Sequence, residues 1–368
     1  MPKQGSNSNT KPRERGIRSI NQNLIGSKKG DGRHSPPVKY GDKWLVSGSL
    51  GSRLWNKSAI GLTIEEGCLL TPEEVLFCHW HRHLPLPEMD WLKNILIDDK
   101  FILHRAAVMN TIREPGDLII ISNNDKFQFH PESWGLRWNR GDHPARNGPI
   151  SEVKWVINSS EINWEELFRW TIAVEESGRC SEVLVVDEEF DVTAYRLKIS
   201  HPLGKLKKPS ELKDYDFEIL KDGFEKMIES GEGYWLPINH KVMPLPQLGI
   251  PQASGIWLAE IDRRWLEKRF KSITSTQIDL IYENLLERGL WARPGFKYGC
   301  RWRVYSEDIT TQHAPWLIVP DSEAPKNWNQ ACLAARLAAG VNKSWICALI
   351  VDGEVSFIQL ERWSPGKA

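Results

Sequence analysis

The sequence predicts a protein of the α/β (α+β) class with two tandem repeats, each made of a small leading α/β lobe and a larger lobe with a mixed sheet. Two observations predict this. At 368 residues the chain is longer than one typical domain, so two or more units are expected. A segment that reads as helix, apolar strand, turn and alternating strand occurs at 163–198 and again at 327–362. Internal repetition of this kind indicates copies of one structural unit.

Residues 1–39 are predicted to form a disordered basic tail. They are rich in Ser, Asn, Gly, Pro and basic side chains, and such a segment cannot bury enough apolar surface to fold alone. The basic residues are Lys11, Arg13, Arg15, Arg18, Lys28, Lys29 and Arg33. Either the tail adds non-specific affinity for nucleic acid, or it has no function, and the composition favours neither.

The first repeat is expected at 40–200, with a leading lobe at 40–95 and a larger lobe at 96–200. In the leading lobe a strand and turn precede a helix that begins at Thr71. Glu74 stands three residues further on, which is the pattern of a capping box. The larger lobe contains the first copy of the repeated segment.

The second repeat is expected at 201–368, with a leading lobe at 201–272 and a larger lobe at 273–368. Its leading lobe has diverged too far to align with the first. The paired segments both open with Asn-Trp, and counting without gaps from that dipeptide compares the two larger lobes position by position. The count sets Tyr305 against Gly141, His313 against Pro149, Arg336 against Ile172 and Lys343 against Arg179. The first copy is therefore predicted to keep the scaffold and to lack the polar residues of the second.

Those polar residues are a tyrosine, a histidine and a lysine in three successive elements: Tyr305, His313 and Lys343. No dense carboxylate cluster lies nearby in sequence. Metal-free attack of a ribose 2′-hydroxyl on its phosphate requires a base, an acid and a fixed cation, and these side chains can fill the three roles. A tyrosine base is mostly protonated at neutral pH, so neighbouring cations such as Lys343 or Arg303 would be needed to favour its phenolate.

At these residues the chain resembles the archaeal tRNA splicing endonucleases. Three motifs carry the resemblance: GFKYGCRWRVY from Gly295, HAPWLI from His313, and RLAAGVNK from Arg336. The resemblance implies that Tyr305 is the general base, His313 the general acid and Lys343 the cation of the transition state. It also implies that Arg336 and Arg362 grip a bulged base of the RNA.

The resemblance further implies a fused two-repeat chain that works as a homodimer with a degenerate, non-catalytic first repeat. The substrate would be precursor tRNA with a bulge-helix-bulge, cut to 2′,3′-cyclic phosphate and 5′-hydroxyl ends without a cofactor or metal. The hairpin turn at residues 187–191 is rich in carboxylates. By resemblance this acidic turn would dock into a basic pocket of the partner, although an ordinary solvated hairpin is the alternative. Its carboxylates are Asp187, Glu188, Glu189 and Asp191.

Composition is compatible with this function. Lys plus Arg and Asp plus Glu both number 48, so a protein that binds RNA must concentrate positive charge on one face. The six cysteines are scattered through mostly apolar runs and are predicted to be reduced core residues. Without an apolar run of about 18 residues or an apolar signal core, the chain is expected to be cytoplasmic and not bound to a membrane.

Two other functional classes stay open. A metal-dependent nuclease could use Asp187, Glu189 and Lys198, and a non-catalytic RNA-binding or scaffold subunit would bind bulged RNA and leave it uncut. The run from Cys78 to His83 contains four potential zinc or copper ligands. Alternate residues of a helix do not share a face, so this run is more consistent with a structural role.

Aromatic residues give two further predictions. Most of the 18 tryptophans are expected in the core, including Trp164, Trp170, Trp328 and Trp345. Trp302 is predicted to contact RNA together with Arg303, and Trp363 is a weaker candidate for stacking on a base. Tyr298 competes with Tyr305 for the role of the catalytic phenol, and strand periodicity predicts that it points to the opposite face.

Overall fold

The computed structural model describes residues 34–121, 127–310 and 312–366. The first strand begins at Val38, inside the segment predicted as a tail. The rest of that segment, residues 1–33 with all of the basic side chains named above, lies outside the described residues.

The first small sheet is antiparallel and has the strand order β1-β2-β4-β3. Its strands are β1 (Val38–Tyr40), β2 (Lys43–Ser47), β3 (Leu62–Ile64) and β4 (Gly67–Leu70). The helices of this region are α1 (Gly48–Ser58), α2 (Pro72–Arg82) and α3 (Trp91–Asp98). The capping box is confirmed, because Thr71 accepts a hydrogen bond from the Glu74 backbone N–H and the Glu74 carboxylate accepts from the Thr71 N–H.

The second small sheet has the order β10-β11-β13-β12 and is also antiparallel. Its strands are β10 (Ile228–Ser230), β11 (Gly233–Leu236), β12 (Ile250–Gln252) and β13 (Gly255–Leu258). Helices α6 (Asp214–Glu225) and α7 (Glu260–Phe270) accompany it. Apolar side chains of this region share one core with α8 (Gln277–Glu287) and with strands of the large sheet.

A ten-stranded sheet dominates the molecule, in the order β14-β15-β16-β17-β18-β9-β8-β7-β6-β5. The first set of strands is β5 (Leu118–Ile120), β6 (Gly135–Trp138), β7 (Ser151–Ile157), β8 (Cys180–Val186) and β9 (Val192–Ile199). The second set is β14 (Trp291–Pro294), β15 (Trp302–Tyr305), β16 (Trp316–Pro320), β17 (Ser344–Val351) and β18 (Glu354–Trp363). The helices are α4 (Ile102–Arg113), α5 (Trp164–Glu176), α8 (Gln277–Glu287) and α9 (Trp328–Gly340).

The sheet is mixed, as predicted. Strands β7 and β8 are parallel, as are β16 and β17, and the other neighbouring strands of this sheet are antiparallel. The two sets of strands meet at the centre, where β18 pairs with β9 from Ile358 opposite Ile199 to Trp363 opposite Ala194. Helices α5 and α9 pack on one face of this central region, and their tryptophans are buried in its core, as predicted.

The two Asn-Trp dipeptides open α5 and α9. Asn163 and Asn327 are the N-caps, and each side chain accepts hydrogen bonds from backbone N–H groups of the first helical turn. The Trp164 ring lies 5.1 Å from the ring of Trp345, so the helix of one set packs against the sheet of the other.

Strand pairing corrects part of the gap-free alignment. Trp316 pairs with Ser344 and with Val304 in the second set, and Ser151 pairs with Cys180 and with Arg137 in the first. Lys343 therefore does correspond to Arg179, since each residue directly precedes its strand. The same register sets His313 against Gly148 and Tyr305 against Trp138, so the predicted partners Pro149 and Gly141 are wrong. The segment from the start of β7 to α5 is one residue longer than the segment from the start of β16 to α9, and the loop before β7 is two residues longer than the loop before β16. A count without gaps cannot detect either difference.

Candidate active site

Tyr305, His313 and Lys343 lie at one edge of the large sheet. Tyr305 is the last residue of β15, His313 shortly precedes β16, and Lys343 directly precedes β17. Because β15 is antiparallel to β16 and β16 is parallel to β17, the end of the first strand and the starts of the other two share an edge. The topology thus brings the three predicted residues to one end of three adjacent strands.

The end of α9 positions Lys343. Asn342 has φ of 53°, in the left-handed region, and its N–H donates to the carbonyl of Ala339. The N–H of Lys343 donates to the carbonyl of Ala338 at 3.0 Å. These two bonds form a Schellman motif, which stops the helix and turns the chain directly into β17. Asparagine tolerates the left-handed conformation better than most residues, so the sequence favours this ending.

The ammonium group of Lys343 reaches the segment that carries His313. Its Nζ donates to the carbonyl oxygen of Ala314 at 2.5 Å and lies 5.7 Å from the centre of the Tyr298 ring. Ala314 also belongs to a small buried cluster with Tyr305 and Trp291. Ala314 therefore contacts both the lysine and the tyrosine, while the side chain of the preceding residue, His313, is exposed to solvent.

The site is electropositive. The Cζ of Arg303 lies 5.9 Å from the centre of the Tyr305 ring, and the buried Nε of Arg303 has no hydrogen-bond acceptor. Burial, followed by repulsion from Arg303, lowers the pKa of Lys343 below that of an ordinary lysine. In the part of the chain that the structure describes, neither cation forms an ion pair. Two cations beside a phenol, close in sequence to an exposed imidazole, could bind an anion that undergoes proton transfer.

The structure also brings the two predicted base-gripping arginines together. Arg336 on α9 and Arg362 on β18 are exposed and line one cavity of about 310 Å³. The charges of both residues act on the Tyr195 hydroxyl and the Cys332 thiol, which line the same cavity. Arg336 lies about one helical turn before α9 ends at Gly340.

The acidic turn lies on the far side of this cavity, which Asp187, Glu188 and Asp191 help to line. Asp187 shapes the turn, because its Oδ1 accepts from the N–H groups of Glu189 and Asp191, both at 2.9 Å. Phe190 has φ of 62° and its ring packs against that of His104 at 5.0 Å. The carboxylates of Glu188 and Glu189 remain exposed to solvent.

The prediction for Trp302 is wrong. This side chain is 3% exposed and its ring lies 6.1 Å from that of Tyr282, inside the core shared with the second small sheet. Trp302 and Val304 point to the core face of β15, so Arg303 and Tyr305 must point to the other face. The indole is therefore unavailable to RNA, whereas the prediction for Arg303 stays open.

The prediction for Tyr298 is also wrong in its geometry. Tyr298 lies in a 3₁₀ turn at Phe296–Tyr298 and not on the strand, so strand periodicity does not apply to it. Its half-buried ring faces Lys343. The flanking glycines Gly295 and Gly299 were the signal of a turn at this point.

The matching edge of the first strand set has different chemistry. Arg179, the counterpart of Lys343, donates from Nη1 to Glu152 Oε1 at 2.7 Å, and that carboxylate is buried. Glu152 also accepts hydrogen bonds from Ser133 Oγ and from the His130 N–H. The buried ring of Trp138 stands where the second set has Tyr305. At this edge the cation is therefore neutralised by an ion pair with a buried carboxylate.

The other candidate ligands serve local structure. His79 Nδ1 lies 2.8 Å from the Leu84 carbonyl oxygen and His81 Nε2 lies 2.6 Å from Asn110 Oδ1. Within the described ranges no group of three or more His, Cys, Asp or Glu side chains is close enough to hold a metal ion. Cys68, Cys78 and Cys347 are buried free thiols, as predicted, whereas Cys180 is exposed. No helix in the described part of the chain is long and apolar enough to cross a membrane.

Comparison with known proteins agrees with this site. The family model for the tRNA intron endonuclease, catalytic C-terminal domain, matches residues 278–357, which include the three residues at the sheet edge. A tRNA-splicing endonuclease of Picrophilus torridus is 32% identical over 220 residues, which cover 59% of this chain and 66% of the relative. One of Methanopyrus kandleri is 34% identical over 23% of this chain and 48% of its own length. These two matches thus span just under two thirds and about half of the relatives.

A third relative extends the similarity along nearly the whole chain. The tRNA-splicing endonuclease of Methanococcoides burtonii is 23% identical over 87% of this chain and 97% of its own length. The similarity to this relative therefore includes the first strand set.

Proposed function

The chain belongs to the archaeal tRNA splicing endonuclease family, and from that premise we propose that it cleaves precursor tRNA at bulge-helix-bulge splice sites. The reaction proposed is metal-independent attack of a ribose 2′-hydroxyl on the adjacent phosphorus. It leaves a 2′,3′-cyclic phosphate on one fragment and a 5′-hydroxyl on the other.

Each proposed catalytic residue either transfers one proton or stabilises negative charge. Tyr305 accepts the proton of the 2′-hydroxyl as the new oxygen–phosphorus bond forms. His313 donates a proton to the 5′-oxygen as its bond to phosphorus breaks, so atoms and charge balance. Lys343 and Arg303 stabilise the negative charge of the phosphorane.

The observation that carries this proposal is the contact of Lys343 and Tyr305 with Ala314, the residue that follows His313. The lysine ammonium donates to the Ala314 carbonyl, the tyrosine ring packs in the same cluster, and His313 is the preceding residue. The unpaired charges of Arg303 and Lys343 supply the cationic surroundings that a phosphodiester needs. A metal-dependent nuclease built on Asp187, Glu189 and Lys198 fits less well, because Lys198 pairs with Glu361 at the other end of β9.

The two strand sets support a two-repeat chain in which only the second repeat is catalytic. In this proposal a degenerate repeat at 40–200 and a catalytic repeat at 201–368 share one topology, and the lobes meet near residues 95 and 272. The ion pair of Arg179 with Glu152 supports the assignment of the first repeat as non-catalytic, since a buried carboxylate neutralises the cation that corresponds to Lys343.

Substrate recognition is proposed to use the cavity of Arg336 and Arg362. Bases in a bulge are unstacked, so they can enter between two guanidinium groups, whereas paired bases cannot. We further propose a homodimer in which the acidic turn contacts a basic surface of the second copy. The exposed carboxylates of Glu188 and Glu189 support this contact, because like charges in a tight turn repel unless a cationic partner is near.

The test is cleavage of a bulge-containing precursor tRNA by the purified chain in EDTA, with analysis of the new ends. We expect cyclic phosphate and 5′-hydroxyl ends at both splice sites. His313→Ala should lower the single-turnover rate by about 10²–10⁴-fold and leave RNA affinity nearly unchanged. His201→Ala, which changes an exposed histidine outside the site, is the matched control.

Three results would contradict the proposal in different ways. Cleavage that stops in EDTA and returns with magnesium favours a metal-dependent nuclease. Tight binding of bulged RNA without cleavage by the unaltered chain favours a scaffold subunit. A rate that His313→Ala leaves unchanged removes the acid role, and it also points to cleavage by the first repeat.

A further inference from the structure

The turn from Gly295 to Cys300 is tightly built. The Gly295 N–H donates to the Arg301 carbonyl at 2.9 Å, and the Tyr298 N–H donates to the Gly295 carbonyl at 2.8 Å. A Cβ at Gly295 would lie 2.3 Å from the Cys300 sulfur, and Gly299 has φ of 62°. Both positions therefore require glycine, one for space and one for conformation. A turn constrained in this way holds the Tyr298 side chain at a defined position beside β15.

The Lys343 ammonium lies between this ring and the backbone at Ala314. The distance of 5.7 Å from Nζ to the Tyr298 ring centre is within the range of a cation–π contact. An ammonium group has three N–H donors, and one of them is directed at the Ala314 carbonyl oxygen at 2.5 Å. The remaining donors are left for a phosphate oxygen.

We propose that Tyr298 is a positioning residue for the reaction described above: its ring face holds the Lys343 ammonium in its charged form and directs it at the scissile phosphate. This inference rests on the proposed function. The part of Tyr298 that matters is the aromatic face and not the hydroxyl, so its role differs from that of Tyr305, which exchanges a proton with the substrate.

The charges around Lys343 determine in which direction its pKa should change when the Tyr298 ring is removed. Burial disfavours the ammonium and Arg303 on β15 repels it, so the pKa of Lys343 is already lowered. Other titratable groups at this edge are Tyr305 on β15, His313 before β16, and Glu307 and Asp308 in the segment that follows β15. The Tyr298 ring attracts the ammonium and opposes the lowering. Removal of the ring should therefore lower the pKa of Lys343 further, and the alkaline limb of the rate profile should move to lower pH.

The experiment compares Tyr298→Leu with Tyr298→Phe in single-turnover cleavage of bulged RNA across a pH series. The phenylalanine variant keeps the ring and should cleave within about twofold of the unaltered chain. The leucine variant should be slower by about 3–30-fold, the range of a partly buried cation–π contact. Affinity for the same RNA with a 2′-deoxyribose at each splice site should be equal in both variants. If the leucine variant fails to fold, as judged by thermal melting, Tyr298→Met replaces it.

A second measurement does not depend on cleavage. Lysines carrying ¹³C-methyl groups are titrated by NMR, and the Lys343 signal is assigned by its loss in Lys343→Arg. We expect this signal to titrate at lower pH in the leucine variant than in the phenylalanine variant. Equal titration in the two variants, or a phenylalanine variant as slow as the leucine variant, would overturn the proposal. Unaltered chain that leaves the RNA uncut would overturn the proposed function, while the titration would still decide whether Tyr298 holds Lys343.

Discussion

A buried arginine in the first strand set allows a quantitative prediction of how much a substitution lowers the free energy of unfolding. Arg137 on β6 is 1% exposed and bonds two carboxylates. Its Nε and Nη2 each lie 2.7 Å from an oxygen of Glu182, and its Nη1 lies 2.9 Å from Asp117 Oδ2. The Cζ of Arg137 also lies 4.5 Å from the centre of the Trp363 ring, so the group joins the first strand set to the last strand of the second.

Arg137→Met removes the cation and leaves its partners in place. Breaking a buried ion pair typically costs about 3–5 kcal/mol, because the remaining charge is uncompensated. Glu182 would keep hydrogen bonds from Ser151 Oγ at 2.7 Å and Arg196 Nε at 3.0 Å. Those partners reduce the penalty, so we expect the free energy of unfolding to fall by about 3 kcal/mol, at the lower end of that range.

Two variants separate the buried charge from other causes. Arg196→Met removes a second bond to Glu182, but the Arg196 side chain is 31% exposed and its loss should cost about 1 kcal/mol or less. Arg137→Met combined with Glu182→Gln removes one of the two uncompensated carboxylates, so the double variant should be more stable than Arg137→Met alone. Urea unfolding followed by tryptophan fluorescence measures the free energy of unfolding of all three variants. The reasoning fails if Arg137→Met costs no more than Arg196→Met, or if Glu182→Gln gives no recovery.

Two predictions concern the partners of the chain. The double variant Glu188→Gln/Glu189→Gln should shift the mass measured by light scattering from dimer towards monomer. The control variant Glu225→Gln, on an exposed part of α6, should not shift it. If the double variant remains a dimer, the turn has no docking role. Alanine at Arg336 or at Arg362 should weaken binding of bulged RNA by about tenfold, from lost contact with an unstacked base, and change binding of a continuous duplex little. An equal loss with both RNAs would mean that these arginines contact only phosphates.

The sequence was sufficient to predict where the three candidate catalytic residues lie, because each is at or near the point where a strand begins or ends. The motifs fixed Tyr305, His313 and Lys343 to three successive elements, and the antiparallel and parallel pairings then bring those ends to one edge. The correspondence with the first strand set could not be predicted as well. Loops tolerate changes in length at little free-energy cost, so differences in loop length before and after β7 and β16 shifted the count at these strands, whereas β8 and β17 stayed aligned.

Strand alternation would have corrected the prediction for Trp302, whereas no local pattern could have predicted the contacts of Trp363. Strand alternation, applied from Tyr305, sets Trp302 on the core face, and its burial at 3% follows from that rule. Trp363 is only partly buried, but Arg137 and Arg196 each lie 4.5 Å from its ring centre, which no sequence motif indicates. Such contacts join residues distant in sequence, and only the packed structure brings them together.

The two corresponding edges of the large sheet show how the same arrangement of strands can hold a cation that is neutralised or one whose charge is available. Arg179 and Lys343 occupy equivalent places, at the end of a helix and directly before a parallel strand. At the first edge a buried carboxylate from β7 neutralises the guanidinium, which stabilises the fold and leaves no charge for a ligand. At the second edge a backbone carbonyl and an aromatic ring hold the ammonium without neutralising it. A neutral partner orients a cation and leaves its charge available, and this difference is what the proposed chemistry requires of the second repeat.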